Sequence, residues 1–393
     1  MIDRVPVQKC CICGACANAC PKQAITFTKL TNGFSYPQIN EDACIGCNFC
    51  EKVCPVTNPC AYSVEDTYPK AFAARSEDVD NRKNSTSGAI FFEAGNAVIS
   101  HGGFVCGTIF DDNFQVKHVL TNSAEELRQM RGSKYAQSDV GDTYVQIKQI
   151  LDCGKEVLFC GCPCQVFALK RVLGKEYTNL FLMDFVCHGI PSQDMLDSYM
   201  AELEDRKRAK IVDFRFRDKT KGWHSSGVAV TFDNGKKYSN PITVDPYMKG
   251  FLSGTTMKES CYSCQFKGFS SGSDLTLGDF WGAEVELMDW DDNTGISAVM
   301  VNREKGLQLL ERLPVQKKMV ELDCIIRYNK NILYPTKKNP IREQFWEYSS
   351  THGNRKALMY FFEESKWEKL KRITRYQIRC LVYKLSGRGK PLY

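Results

Sequence analysis

The chain has 393 residues, 43% hydrophobic and 25% charged, which suits a globular protein of two or three domains and excludes a disordered chain. Its formal net charge of +6 is too mild to select nucleic acid as a partner. No run of about 18 apolar residues is present to form a membrane-spanning helix. The opening "MIDRVPVQKCC" carries no export signal, so the chain is expected in a reducing, cytoplasmic compartment. There, its 20 cysteines would bind metal or do redox chemistry rather than pair as disulfides.

Half of the cysteines lie in the first 60 residues. Cys10, Cys13, Cys16 and Cys20 follow C-x2-C-x2-C-x3-C with Pro21 next, and Cys44, Cys47, Cys50 and Cys54 repeat the pattern with Pro55. This is the bacterial ferredoxin signature for two [4Fe–4S] clusters, in which the fourth cysteine of each run ligates the other cluster. Cys10, Cys13, Cys16 and Cys54 are therefore expected at one cluster, and Cys44, Cys47, Cys50 and Cys20 at the second. Cys11 and Cys60 are left over. Gly14, Ala15, Ala17, Ala19 and Gly46 let backbone amides approach the sulfurs, which helps set the reduction potential.

From about residue 68 the pattern changes. "YPKAFAARS" reads as a strand, and "STSGAIFFEAGNAVISHGG" as a Ser/Gly loop opening a helix. "FVCGTIFD" and "VKHVLT" alternate like paired strands, and Ser123 lies three residues before Glu126 in a capping-box spacing. Residues 141–152 follow a helical pattern. "EVLFC" is a short apolar strand, and "PCQVFALKRVL" begins a helix with its proline at the first position. "LFLMDFVCHG" is a second apolar strand followed by the helix "PSQDMLDSYMAELEDR". Residues 211–238 read as antiparallel strands with a turn at Asn234–Gly235.

The fold class is read as α+β. An N-terminal bacterial-ferredoxin-like domain (1–62) precedes an α/β catalytic domain with a mixed sheet (63–335) and a basic helical C-terminal tail (336–393). Active sites of such sheets gather at strand carboxyl ends. There lie Cys160, Cys162 and Cys164 after the first apolar strand, and Cys187 and His188 after the second. Cys261 and Cys264 form a later C-x2-C pair. Cys164, Cys187, Cys261 and Cys264 suit a third [4Fe–4S] cluster, with Cys160 or Cys162 able to replace one of them, and a zinc site from the same thiolates is the alternative. Cys106, Cys153, Cys324 and Cys380 read as small buried hydrophobes.

The stretches "STSGAIF", "RGSKYAQS", "GCPCQVFAL", "DFVCHGIPS", "FRDKTKGW" and "SDLTLGDFWG" run in one order over residues 1 to about 335. With them the chain resembles the coenzyme F-420 hydrogenase/dehydrogenase beta-subunit family, in its form with an N-terminal two-cluster ferredoxin domain. At Cys162 the sequence departs from the family, which often has Thr or Ser before the PCQ element. The resemblance implies FAD (or FMN) beside an iron–sulfur cluster, and hydride exchange with the deazaflavin F-420 in some members. Many bacterial relatives sit in sugar or surface-polysaccharide settings.

A flavin joins single-electron clusters to two-electron substrates. No G-x-G-x-x-G follows a strand, so the flavin is expected near Ser87 and Gly88, where the Ser/Gly loop opens a helix. Ser133, Lys134 and Tyr135 are the next candidates, with Lys134 on a phosphate and Tyr135 against a ring. His188 is a candidate proton donor. Arg217, Lys219, Lys221, Trp223 and His224 form a basic-aromatic patch for an anionic ligand. Asp279 and Trp281 are candidate walls of the pocket.

Residues 355–393 hold 11 Lys/Arg against three Glu in a pattern apolar at helical spacing. This tail is read as docking on its own protein or a partner in preference to an anionic membrane surface. The whole is read as a flavin-dependent iron–sulfur oxidoreductase acting on a small molecule, with ferredoxin or another redox protein as partner. F-420 oxidoreductase and non-catalytic electron-relay subunit are the alternatives.

Overall fold

The computed structural model describes residues 2–59, 62, 64, 67–365, 367–368, 370–372 and 374–375. Cys60, Cys380 and residues 376–393 of the basic helical tail expected over 336–393 lie outside them. The chain divides into two compact units, one of Met1–Asp194 with Thr256–Lys338, the other of Met195–Thr255 with Asn339–Tyr393. Residues 195–255 thus group with the C-terminal helices, a division distinct from the boundaries read at 62/63 and 335/336.

The first unit is built on an eight-stranded mixed sheet. Its four middle strands, Phe104–Phe110, Val157–Cys160, Leu180–Phe185 and Leu275–Asp279, are neighbours in parallel. Val116–Thr121 pairs antiparallel on one side, and Ser297–Val301, Lys70–Ser76 and Val315–Met319 pair antiparallel on the other. Val157, Leu158 and Phe159 are fully buried, so both faces of the sheet are covered there, which is why that strand reads as a continuous apolar run. The helix Pro163–Leu173 starts where its proline requires, and Gln165 Oε1 accepts from the Cys162 amide at 2.9 Å. Ser123 Oγ accepts from the amides of Glu125 and Glu126 and caps Ala124–Gln129. Parallel order sends the chain after Cys160 and after Phe185 to the same edge of the sheet, bringing the thiols there together.

The N-terminal cysteine segment adds the hairpin Ile25–Lys29 with Ser35–Ile39 and the short helices Ala15–Asn18 and Phe49–Val53. Cys13, Ala15 and Val53 share one apolar cluster with Tyr144, Phe159 and Val166 of the α/β region. Gly14, at φ 79°, approaches Val140 so closely that an added Cβ would lie 3.2 Å from Val140 Cβ. Both the left-handed turn and the close contact call for glycine.

The second unit contains the antiparallel strands Ile211–Asp218, Gly227–Phe232 and Lys237–Pro241. Asp245 caps the helix Pro246–Leu252 and accepts from the Tyr238 hydroxyl at 2.8 Å. Arg342 donates to the Thr255 carbonyl at 2.6 Å, tying the helix Arg342–His352 to that loop. The basic-aromatic patch expected at 217–224 is partly interior: Trp223 is fully buried, and buried Arg217 donates to Ser226 Oγ at 3.0 Å. A large aromatic ring in a strand-linking loop filled the core here instead of facing a ligand.

His118, on the strand Val116–Thr121, is buried with its ring stacked on Phe159 at 5.7 Å. Burial pushes it down to about 4, against weaker opposing contacts with the Asp139 and Cys160 backbone. Below its ordinary value of 6.5 the unfolded chain therefore takes up a proton that the folded ring refuses until about pH 4. This contribution vanishes above that window and lowers stability as pH falls through it. His118→Phe is expected to remove about 2 kcal/mol of the stability loss between about pH 7 and about pH 5. Denaturant unfolding of both proteins at the two pH values checks this; parallel losses would contradict it.

Candidate iron–sulfur and redox site

The two cysteine runs fold around each other. Cys16 and Cys54 are buried together with Ile2, Val5 and Ile25, and Cys10, Cys20 and Cys50 border the same cluster. Burial pushes the Cys16 thiol up to about 12, with Cys10, Cys54 and Cys50 adding to the effect. Cys20, Cys44, Cys47 and Cys50 line one recess together with Ile25, Ile39 and Gly46. The structure thus brings Cys20 to the second run, and Cys54 to Cys10 and Cys16. The Ala24 amide points to Cys20 Sγ at 3.3 Å, a backbone donor of the kind that stabilises a thiolate. Among the described residues no cysteine is in a disulfide. Sets of four converging thiols are a donor set suited to [4Fe–4S] clusters.

A second group of thiols meets at the sheet edge. Cys162 lies in side-chain contact with both Cys164 and Cys187, raising its own thiol and lowering that of Cys187. Cys261 and Cys264 feel both Cys164 and Cys187, and burial pushes them up to about 12 and about 11. Five thiols therefore gather where four were expected, with Cys162 the addition. Cys160 feels Asp184 and none of these thiols, and burial pushes it up to about 12. Cys11, which the spacing left unassigned, lies in side-chain contact with both Cys13 and Cys164. It bridges the two groups.

The backbone at that bridge is held from outside its own segment. Ser260 Oγ donates to the Cys10 carbonyl at 3.0 Å, Lys258 Nζ to that of Cys11, and the Tyr144 hydroxyl to that of Cys13 at 2.8 Å. Gln137 Nε2 reaches the Ile12 carbonyl at 3.5 Å, and its Oε1 accepts from Lys258 Nζ at 2.8 Å. Burial pushes the Lys258 ammonium down, but the sulfurs of Cys261, Cys164, Cys11 and Cys10 outweigh this and hold it up. A second lysine, Lys267, donates to the carbonyls of Cys187 and, at 2.7 Å, Asn331. Buried Asp184 accepts from the Ser271 hydroxyl at 2.5 Å, and burial pushes it up to about 6. Sequence reasoning missed Lys258, Gln137, Tyr144, Lys267 and Asp184. The signal for two of them was local: lysines flank the C-x2-C pair in "KESCYSCQFK".

The residues expected at a flavin come together only in part. Thr86 Oγ1 and Ser133 Oγ lie 3.0 Å apart, joining the "STSGAIF" and "RGSKYAQS" stretches. Ser87 Oγ donates to the Ile296 carbonyl at 2.6 Å, and the Gly88 amide to Ser297 Oγ at 2.9 Å. The helix Ile90–Ser100 is capped instead by Ala89, at φ 69°. Lys134 Nζ donates to the carbonyls of Gln129 and Arg131 at 3.0 and 3.2 Å and reaches those of Met130 and Gly132 at 3.4 Å. It closes the carboxyl end of the helix Ala124–Gln129, and burial pushes its ammonium down to about 7. Tyr135 beside it is half-buried. His188 Nδ1 lies 3.3 Å from both Asn331 Oδ1 and Thr336 Oγ1. Asp279 lends its carbonyl to Asn329 Nδ2 at 3.2 Å.

A buried cation beside reducible clusters favours their more negative, reduced form. Lys258→Met keeps most of the side-chain volume and removes the charge. It is expected to lower the midpoint potential of the cluster nearest Cys10 by on the order of tens of millivolts. The cluster in the Cys20–Cys44–Cys47–Cys50 recess should hardly change. Redox titration followed by electron paramagnetic resonance reads both; equal shifts would contradict the placement of this charge.

Residues 9–58 match the 4Fe-4S dicluster domain, and residues 154–326 match the C terminus of the coenzyme F420 hydrogenase/dehydrogenase beta subunit. The F subunit of the F(420)H(2) dehydrogenase of Methanosarcina mazei is 26% identical over 246 residues, covering 59% of this chain and 67% of that protein. The alpha 1 subunit of the acetyl-CoA decarbonylase/synthase complex of the same organism is 42% identical over 72 residues, which span 17% of this chain and 9% of that much longer protein. A chain of the F420-reducing [NiFe] hydrogenase complex from Methanosarcina barkeri aligns with a TM-score of 0.44 at 16% identity, covering 83% of this chain and 97% of that one. Among the described residues no helix is long and apolar enough to cross a membrane. The two matched segments, in the order that the sequence motifs run, bear out the resemblance to the coenzyme F420 hydrogenase/dehydrogenase beta-subunit family, in a form that also carries a 4Fe–4S dicluster domain.

Proposed function

We propose that the chain is the iron–sulfur electron-transfer subunit of an F420 oxidoreductase, working with other subunits or a redox protein. The observation that carries this reading is the contact of Cys11 with both Cys13 and Cys164. It joins the dicluster thiols to the sheet-edge thiols inside one buried, hydrogen-bonded junction. In this reading Cys10, Cys13, Cys16 and Cys54 hold one cluster, and Cys20, Cys44, Cys47 and Cys50 the second. Cys164, Cys187, Cys261 and Cys264 hold a third, with Cys162 close enough to replace one of them. When bound, such clusters accept and release single electrons.

F420 exchanges hydride, so the subunit needs a two-electron group beside its thiols, and a flavin would supply that chemistry. Thr86 and Ser133, in contact at 3.0 Å, mark where the two Ser/Gly stretches meet. We assign Ser87, Gly88, Ser133, Lys134 and Tyr135 to shaping the wall of that site. Lys134 acts there by ordering the 130–134 loop through its carbonyl contacts. His188, next to Cys187, is the candidate to hold a proton near the transferred hydride. The relative named for F(420)H(2) favours the deazaflavin over a sugar-linked substrate.

The test uses anaerobically reconstituted protein supplied with FAD or FMN and mixed with reduced F420. The expected result is oxidation of F420 coupled to cluster reduction, with about twelve irons per chain. Cys20→Ser should lower that content to about eight and remove the spectrum of the cluster held by Cys44, Cys47 and Cys50, leaving the other two in place. Protein whose clusters respond to a chemical reductant while F420 is untouched would reject the F420 reading.

A further inference from the structure

The junction at Cys10–Cys13 fixes one end of the dicluster segment against Cys164 and Cys261. The other thiol set reaches the surface. Cys47 is exposed, and Ile45 and Phe49, on either side of it, are 60% and 48% exposed. Beside Phe49 opens a cleft of about 770 Å³, between the helix Phe49–Val53, the helix Thr143–Asp152 and the carboxyl end of the helix Pro163–Leu173. Its lining carries Lys52, Lys148, Lys170, Arg171 and Lys175 against one carboxylate, Glu176. Lys170 pairs with Glu176 at 2.7 Å, while Lys148 and Lys175 share Asp152 at 2.5 and 3.6 Å. Five cations thus face two carboxylates, and the surface stays positive. Lys52 Nζ sits 5.3 Å from the centre of the Phe49 ring, so the apolar and the basic parts are one continuous face.

We propose that this face is the docking surface for a small acidic protein that carries single electrons. The inference rests on the reading that Cys20, Cys44, Cys47 and Cys50 hold a cluster. Two features select the occupant. Exposed apolar side chains flanking an exposed thiol give a partner a dry patch for close approach, which a small anion does not need. A basic cleft next to that patch attracts and orients a carboxylate-rich surface, raising the encounter rate. The chemistry is a single outer-sphere transfer. The reduced carrier is oxidised by one electron, the thiol-bound centre is reduced by one, and no bond forms or breaks. The same face serves the reverse direction.

The experiment uses the reconstituted full chain and a photoreduced acidic two-[4Fe–4S] ferredoxin as probe, in stopped flow. Wild type is compared with the double variant Lys148→Glu/Lys175→Glu, whose positions are exposed and outside the cluster-binding loops. The second-order rate should fall about tenfold or more in the variant at low salt. Raising salt should slow the wild type steeply and the variant little. Reduction by the uncharged deazariboflavin radical should be the same in both proteins. Phe49→Ser should weaken ferredoxin binding without changing the salt dependence. Equal ferredoxin rates in wild type and double variant would overturn the docking surface. Failure of the deazariboflavin radical to reduce the recess cluster would instead overturn the cluster reading on which it rests.

Discussion

The carbonyls of Cys10, Cys11, Ile12 and Cys13 are engaged by side chains from a distant part of the chain: Ser260, Lys258, Gln137 and Tyr144. A loop that wraps metal-binding thiols turns its amides inward, toward sulfur, and leaves its carbonyls pointing outward and in need of donors. Here the α/β region supplies those donors, and one of them is a buried cation. Removing any one leaves a buried acceptor unpaired, at about 1–3 kcal/mol each. The same junction places Cys11 against Cys164, so the hydrogen bonds that hold the dicluster segment also set the spacing between two groups of thiols.

From that constraint the electrical layout follows. One thiol set is buried at the junction, and the other opens to the surface beside Ile45, Phe49 and a positive cleft. Interior charge is distributed to match. Lys258 and Lys267 stand where sulfurs gather, whereas the carboxylate beside Cys160, Asp184, is pushed toward its neutral form by burial. Both arrangements favour an additional electron in the junction.

Much of this was legible in the sequence, for identifiable reasons. The cysteine runs were legible because cluster geometry fixes thiol spacing along the chain. The parallel strands were legible as short apolar runs, and the helix after Cys162 by its proline. What pairs Lys258 with Cys11 spans 247 residues, and no local pattern encodes such a contact. The Ser87–Gly88 loop looked like a phosphate cradle because serine and glycine precede a helix. Its hydrogen bonds go instead to Ile296 and Ser297 across the sheet, a partner that spacing along the chain does not reveal. Trp223 looked like a ligand platform beside basic residues, but burial of its ring took precedence.

In the proposed reading three thiol sites, the junction and sheet-edge sets meeting at Cys11, form one electron path. Anomalous scattering at the iron and zinc edges, from anaerobic crystals of the as-isolated protein, tests it most directly. Three compact iron sites are expected: one beside Cys10, Cys16 and Cys54, one in the recess of Cys20, Cys44, Cys47 and Cys50, and one at Cys164, Cys187, Cys261 and Cys264. Two iron sites with zinc, or no metal, at the sheet-edge thiols would contradict it.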